Sequence, residues 1–175
     1  MVEPSKLLIL EKTFSDWPPS NGPVILDHVE KHNLIIEIIP AKGNFNKYND
    51  YINYVHDNKN ELNAELKYIK NHLEKKDSWG EILIVRDKNK KIIGSLGPNR
   101  IEKDEKGEKR ARPGYFSVLK NFRNKKIGTA LWAIGLKRMK KMGADYIKIS
   151  VARDNLPATK IYLNSGMEKI RQKIK

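Results

Sequence analysis

The chain has 175 residues, 39% of them hydrophobic, which is enough for one domain with a real core and too few for two comfortable ones. Cysteine is absent, so a disulfide framework, a thiolate metal site and a cysteine nucleophile are excluded. The formal charge of +14 favours anionic partners, but the lysines behind it are scattered, and scattered lysine reads first as a solvated surface.

Residues 1–33 form an N-terminal extension of uncertain structure. Its apolar run, Leu7 to Leu10, is too short for a secretory signal, and no run approaches the roughly 20 residues of a membrane span. A soluble, cytoplasmic protein is therefore expected. "SDWPPSNGP", Ser15 to Pro23, is a loop by composition, and "VILDHVEKH" a short helix. From Leu34 the pattern firms. "LIIEIIP" is a strand stopped by Pro40. Phe45, Tyr48, Ile52 and Val55 recur at helical spacing, and Leu62, Leu66, Ile69 and Leu73 do so again. "EILIVRD" and "KIIGSLG" are strands of a hairpin turned by "DKNKK". "EKDEKGEKR", Glu102 to Arg110, reads as a solvated turn, and "GYFSVL" is the next strand. A helix follows from about Gly128 to Met142, with Gly143 suited to its C-terminal cap. "DYIKISV" is a strand, and "NLPATKIYLNSG" a helix capped by Asn155 with Pro157 in its first turn. "MEKIRQKI" is a last short strand. The connection from "GYFSVL" to "DYIKISV" predicts a right-handed crossover between parallel neighbours.

The junction "FRNKKIGTALW", Phe122 to Trp132, brings Arg123, Lys125 and Lys126 to the start of a helix. A helix start offers unpaired backbone N–H groups and a partial positive charge, a general way to hold a pyrophosphate. Gly128 and the small Ala130 keep the first turn open. Neither a P-loop nor a dinucleotide fingerprint is present.

"YFSVLKNFRNKKIGTALW" followed by "DNLPATKIYLNSGMEKI" resembles the two signature blocks of the GNAT superfamily of acetyl-CoA-dependent N-acetyltransferases. Arg123-x-x-Lys126-x-Gly128 occupies the position of the Arg/Gln-x-x-Gly-x-Gly/Ala motif. Asn155, Ala158, Tyr162 and the pair Gly166-Met167 match the second block. The resemblance covers about four-fifths of the chain and makes residues 34–175 the acetyltransferase-like domain. It implies an α/β (α+β) fold with a mixed, mostly antiparallel twisted sheet flanked by helices, and one parallel strand pair where the cofactor enters a splay. Those two strands would be "GYFSVL" and "DYIKISV".

The resemblance also implies acetyl-CoA as acetyl donor, an amine acceptor and no metal. The cofactor would be held by Phe116 and Val118 on the strand, by Arg123, Asn124, Lys125, Lys126, Ile127, Gly128, Thr129 and Ala130 at the helix start, and by Asn155 and Ala158 in the second block. Tyr162 is the candidate acid for the leaving thiolate, since a phenol can donate to a sulfur whose conjugate acid lies near pKa 8.5. The base is open among Glu37, Glu81 and Glu102, with Ser150 at the position where some relatives carry a glutamate. The four histidines lie outside both blocks and do not read as a metal site. The acceptor is expected near the first two helices, around Phe45, Tyr48, Tyr51 and Tyr54, although the helical spacing of those aromatics reads as core. Lys126 departs from the family by standing where glycine is usual, and a left-handed backbone there would cost about 1 kcal/mol. Because little chain follows Met167, "KLLILEK" is expected to pair with the sheet, in the same chain or in a homodimer partner. Two alternatives remain open: a basic nucleic-acid-binding protein, and a relative that binds coenzyme A without catalysis.

Overall fold

The computed structural model describes residues 7–15, 34–40, 48–62, 66, 67, 69, 70 and 81–170. The expected helix "VILDHVEKH", Phe45 and Leu73 lie outside these residues. The described elements are β1 (Leu7–Thr13), β2 (Ile35–Pro40), α1 (Asn49–Asp57), α2 (Lys59–Leu62), β3 (Glu81–Arg86), β4 (Ile92–Lys103), β5 (Lys109–Arg112), β6 (Tyr115–Val118), α3 (Ile127–Lys141), β7 (Tyr146–Ala152), α4 (Leu156–Asn164) and β8 (Glu168–Lys169). The strands form one sheet in the order β2-β3-β4-β5-β7-β1-β8, and β6 pairs with β4. Every pairing is antiparallel except β5 with β7.

β3 shows why the sheet needs cover on both sides. Leu83 and Val85 enter one core, and Ile82 and Ile84 enter another. Neighbours on a strand point to opposite faces, so a continuous apolar run is a strand buried on both. The first core lies under α3 and α4 and is built on Leu10, Leu83, Leu96, Ile127, Leu131, Trp132, Met139, Ile147 and Tyr162. The second lies under α1 and holds Tyr48, Tyr51, Ile52, Tyr54 and Val55. The helical spacing of these aromatics therefore does mark core. Tyr51 also donates its hydroxyl to the Gly97 carbonyl at 3.0 Å, and the Tyr54 hydroxyl meets Ser117 Oγ at 3.2 Å. They brace β4 and β6.

Two readings change. Of the supposed solvated turn, Glu102 to Arg110, the first two residues end β4 and the last two begin β5, and only Asp104–Glu108 turns. The parallel partner of "DYIKISV" is then β5, through Arg110↔Tyr146 and Ala111↔Ile147. "GYFSVL" has already left the pair and lies against β4, from Gly94↔Val118 to Gly97↔Tyr115. The cause is Pro113-Gly114, between β5 and β6. Gly114 passes so close to β4 that a Cβ there would sit 2.3 Å from the carbonyl carbon of Gly97 and 2.5 Å from the oxygen of Pro98. The buried Asn99 holds the crossing by accepting from the Gly114 N–H at 3.1 Å.

β1 pairs along its whole length with β7 in the same chain, from Leu7↔Ala152 to Thr13↔Tyr146, and takes β8 on its other edge. Among the described residues no helix is long and apolar enough to cross a membrane.

Any side chain at 114 must displace backbone, which cannot swing aside as a flexible side chain can. Gly114→Ala is expected to cost about 3 kcal/mol or more, read as a lowered denaturation midpoint. A variant within 0.5 kcal/mol of the parent, the scale of an ordinary surface change, would show that the crossing is looser than described.

Candidate active site

The divergence of β6 from β7 opens the sheet, and the residues of the two sequence blocks gather round that opening. On β6 the Leu119 N–H donates to the Ile93 carbonyl at 2.9 Å. With the register of β4 and β6, antiparallel alternation turns the N–H and C=O groups of Phe116 and Val118 away from β4. Their backbone therefore edges the opening. One of these groups is taken, since Arg123 donates Nε to the Val118 carbonyl at 2.9 Å. The same guanidinium lies 3.4 Å from Glu61. Arg123 is thus tied to the end of β6 and to the α2 side.

The chain then turns through a 3-10 segment, Lys120–Phe122, and two left-handed residues, Asn124 at φ +62° and Lys126 at φ +57°. Lys126 is the N-cap of α3 and makes no side-chain cap. The left-handed backbone that glycine would favour is present with a lysine in it, at the cost of roughly 1–2 kcal/mol that L-residues carry there. Among the described residues the N–H groups of Lys126, Ile127, Gly128 and Thr129 have no acceptor, and the first paired amide is Ala130, bonded to the Lys126 carbonyl at 3.0 Å. Ile127 and Ala130 are buried, while Asn124, Lys125, Lys126 and Thr129 are exposed. Lys125 Nζ lies 5.3 Å from the centre of the Phe122 ring.

Gly128 serves packing as well as access. A Cβ on it would meet Ile161 Cδ1 at 3.2 Å and Phe116 Cζ at 3.4 Å, so its bareness lets α3 seat against both β6 and α4.

α4 starts as the sequence indicates. Asn155 Oδ1 accepts from the Ala158 N–H at 3.3 Å, and Pro157 lies in the first turn. Tyr162, on this helix, is buried against Trp132, with ring centroids 4.5 Å apart, and Phe116, at 6.1 Å. The Trp132 indole donates to Ser165 Oγ at 2.9 Å, and Ser165 donates to the Tyr162 carbonyl at 2.7 Å. Burial alone pushes the Tyr162 phenol up to about 12, because the low-dielectric surroundings penalise the phenolate. Tyr162 is therefore neutral at any physiological pH.

A cleft of about 430 Å³ is lined among others by Pro98, Gly114, Tyr115, Ile149, Ser150 and Tyr162. Ser150 is thus in the cleft. The three glutamates considered as bases are all ion-paired: Glu37 with Arg86, Glu81 with Arg138, and Glu102 with Arg100 and Arg112. The cleft also has four cationic walls, Arg100, Arg110, Arg112 and Lys148, which the sequence did not single out. The signal was there in Arg110-x-Arg112, a strand-like alternation that starts in the last residue of the segment that composition made a turn.

This arrangement fits a long ligand with a diphosphate at one end and a reactive group at the other. Unpaired amides lie at the helix start, the outward backbone edge of β6 has only the Val118 carbonyl taken among the described residues, and Tyr162 lines the cleft. No curated protein sequence matches the chain. Solved structures share its fold. The glucosamine N-acetyltransferase region of a fungal multi-domain beta-N-acetylglucosaminidase superposes with TM-score 0.70 at 17% identity, over 94% of this chain and 20% of that one. An aminoglycoside acetyltransferase from an uncultured soil metagenomic sample gives TM-score 0.61 at 14% identity, over 79% and 90%. Glucosamine-6-phosphate N-acetyltransferase from Arabidopsis thaliana gives 0.52 at 16%, over 81% and 97%. The sequence model of the Acetyltransferase (GNAT) family matches residues 48–167, the span from the first described residue of the α1 core to the end of α4's block, and the chain belongs to that family.

Proposed function

We propose that the protein transfers an acetyl group from acetyl-CoA to a primary amine by direct attack in a ternary complex. The observation that carries this reading is the run of unpaired amides from Lys126 to Thr129 beside the outward edge of β6. Such a run matches a pyrophosphate. Lys125 and Lys126 add charge at the same place, and the family resemblance adds Asn155 and Ala158 from α4. Acetyl-CoA supplies a thioester whose carbon an amine can attack.

The chain's own groups then have three tasks. The outward N–H of Val118 is free to polarise a carbonyl, an oxyanion-type contribution. Tyr162, which lines the cleft, holds a proton at its hydroxyl. With its pKa at about 12, complete transfer to a thiolate of pKa about 8.5 is uphill by roughly 5 kcal/mol, so its service is a hydrogen bond to the leaving sulfur. The amine's proton passes to water, because Glu37, Glu81 and Glu102 are each engaged by arginine. The fold relatives named as acting on amino sugars and aminoglycosides make such amines the natural first panel of acceptors.

Three measurements test this. Coenzyme A at 100 times its Kd should raise apparent stability by about 2.7 kcal/mol; no thermal shift at any concentration would sink the reading. Tyr162→Phe should lower turnover at least about tenfold and leave coenzyme affinity unchanged, and an undiminished rate would remove Tyr162 from the chemistry. Lys126→Gly should leave the protein as stable or up to about 1 kcal/mol more stable, by relief of the left-handed backbone, while coenzyme A binds more weakly. Tighter binding would make the lysine a source of strain only.

A further inference from the structure

The face of the sheet opposite α3 and α4 is covered by α1 over β3, β4 and β6, but beyond β4 its character changes. There, β4 contributes Arg100 and Glu102, β5 contributes Arg110 and Arg112, and β7 contributes Lys148. Register places Arg100 directly opposite Arg112, and Glu102 opposite Arg110. Like charges directly opposed on adjacent strands are destabilising. Glu102 relieves this pair only in part, because one carboxylate is shared by Arg100 and by Arg112, the latter at 3.2 Å. Lys148 is 3.6 Å from Glu11. Four cations thus line one cleft, and among the described residues Glu102 and Glu11 are the carboxylates paired with them.

Arg110 is the sharpest member. One terminal nitrogen donates to the Lys148 carbonyl at 2.8 Å, but its buried Nε has no acceptor among the described residues. A buried guanidinium donor left unmade is expensive, more so than a neutral one. Burial, and then the neighbouring Arg112, hold its pKa below the usual arginine range, against the pull of Glu102 and Glu11. An arginine fork matches an oxyanion bidentately. The same cleft reaches Tyr162 and Ser150, so an anion on the arginines would belong to a molecule whose other end lies at the reaction centre.

We infer that the acetyl acceptor is an amine that carries an oxyanion, phosphate or carboxylate, seated on Arg110 and Arg112. The inference rests on the acetyltransferase reading for the amine, whereas the anion seat stands on the arginines themselves. It also disfavours polyamines, which would bring cations to a cationic wall.

The test uses the full chain saturated with coenzyme A, so that the start of α3 is already occupied. Inorganic phosphate is titrated calorimetrically at fixed ionic strength into the parent, Arg110→Gln and Arg112→Gln. Saturable binding is expected in the parent, weakened about tenfold or more in each variant, with coenzyme A affinity unchanged. No saturable binding of phosphate or acetate to the coenzyme A complex, or binding that both variants keep, would overturn the inference while leaving the acetyltransferase reading intact. Conversely, failure of the protein to bind coenzyme A in the first step strikes that reading and not the anion seat. Acetate titrated in parallel separates the sources, since tighter phosphate points to a phosphorylated amine and tighter acetate to an amino acid-like one. Arg112 is partly exposed, so Arg112→Gln decides alone should Arg110→Gln fail to fold.

Discussion

One crossing of backbones governs this molecule. Where Gly114 passes over Gly97 and Pro98, no side chain fits, and the chain changes partner. Before the crossing it is β5, parallel to β7; after it, β6, antiparallel to β4. Without that change β6 would continue alongside β7, the sheet would be closed, and Phe116 and Val118 would spend their backbone groups on a neighbour. With it, the outward edge of β6, the start of α3 and the phenol of α4 share one opening. Asn99, buried and bonded to Gly114, and Tyr51, bonded to Gly97, both support that place.

The opening joins two unlike environments. On the helix side Tyr162 stands among Trp132 and Phe116, dry enough to keep its proton. On the other side arginines crowd with too few carboxylates. Desolvation works on both, but it leaves the phenol neutral and content while it leaves Arg110 charged and short of an acceptor. The unpaired amides of α3 extend the same logic along the opening, since N–H groups without partners are costly unless water or a ligand meets them.

The sequence was readable where function is written locally. The helix start from Arg123 to Ala130, the cap at Asn155 and the position of Tyr162 each lie within a dozen residues of the features that define them, and a left-handed Lys126 followed from the glycine it replaces. The arginine face was not readable in the same way. Arg100, Arg110 and Lys148 meet only through strand register, and nothing within one segment announces it. Lys109 and Arg110 looked like part of a turn because charge and Gly107 dominate their surroundings, and burial of Ala111 on the opposite face is what makes them part of a strand. The ion pairs of the candidate bases were hidden for a related reason: Glu37 pairs with Arg86 and Glu81 with Arg138, 57 positions on, and sequence alone does not bring such partners together. Tyr51 and Tyr54 were legible as core, but not as the hydrogen bonds that brace β4 and β6.

The place of β1 has a consequence in time as well as in space. It lies between β7 and β8, and its Lys12 reaches Glu168, 156 residues away. Pairings so distant close late, because the loop entropy must be spent before the contacts return it. One edge of β7 is thus covered by a pairing of very long sequence separation, and Leu10, part of the main core, belongs to the strand that covers it. The sheet that carries the opening is closed on this side by a strand far in sequence from the helix start that borders the opening.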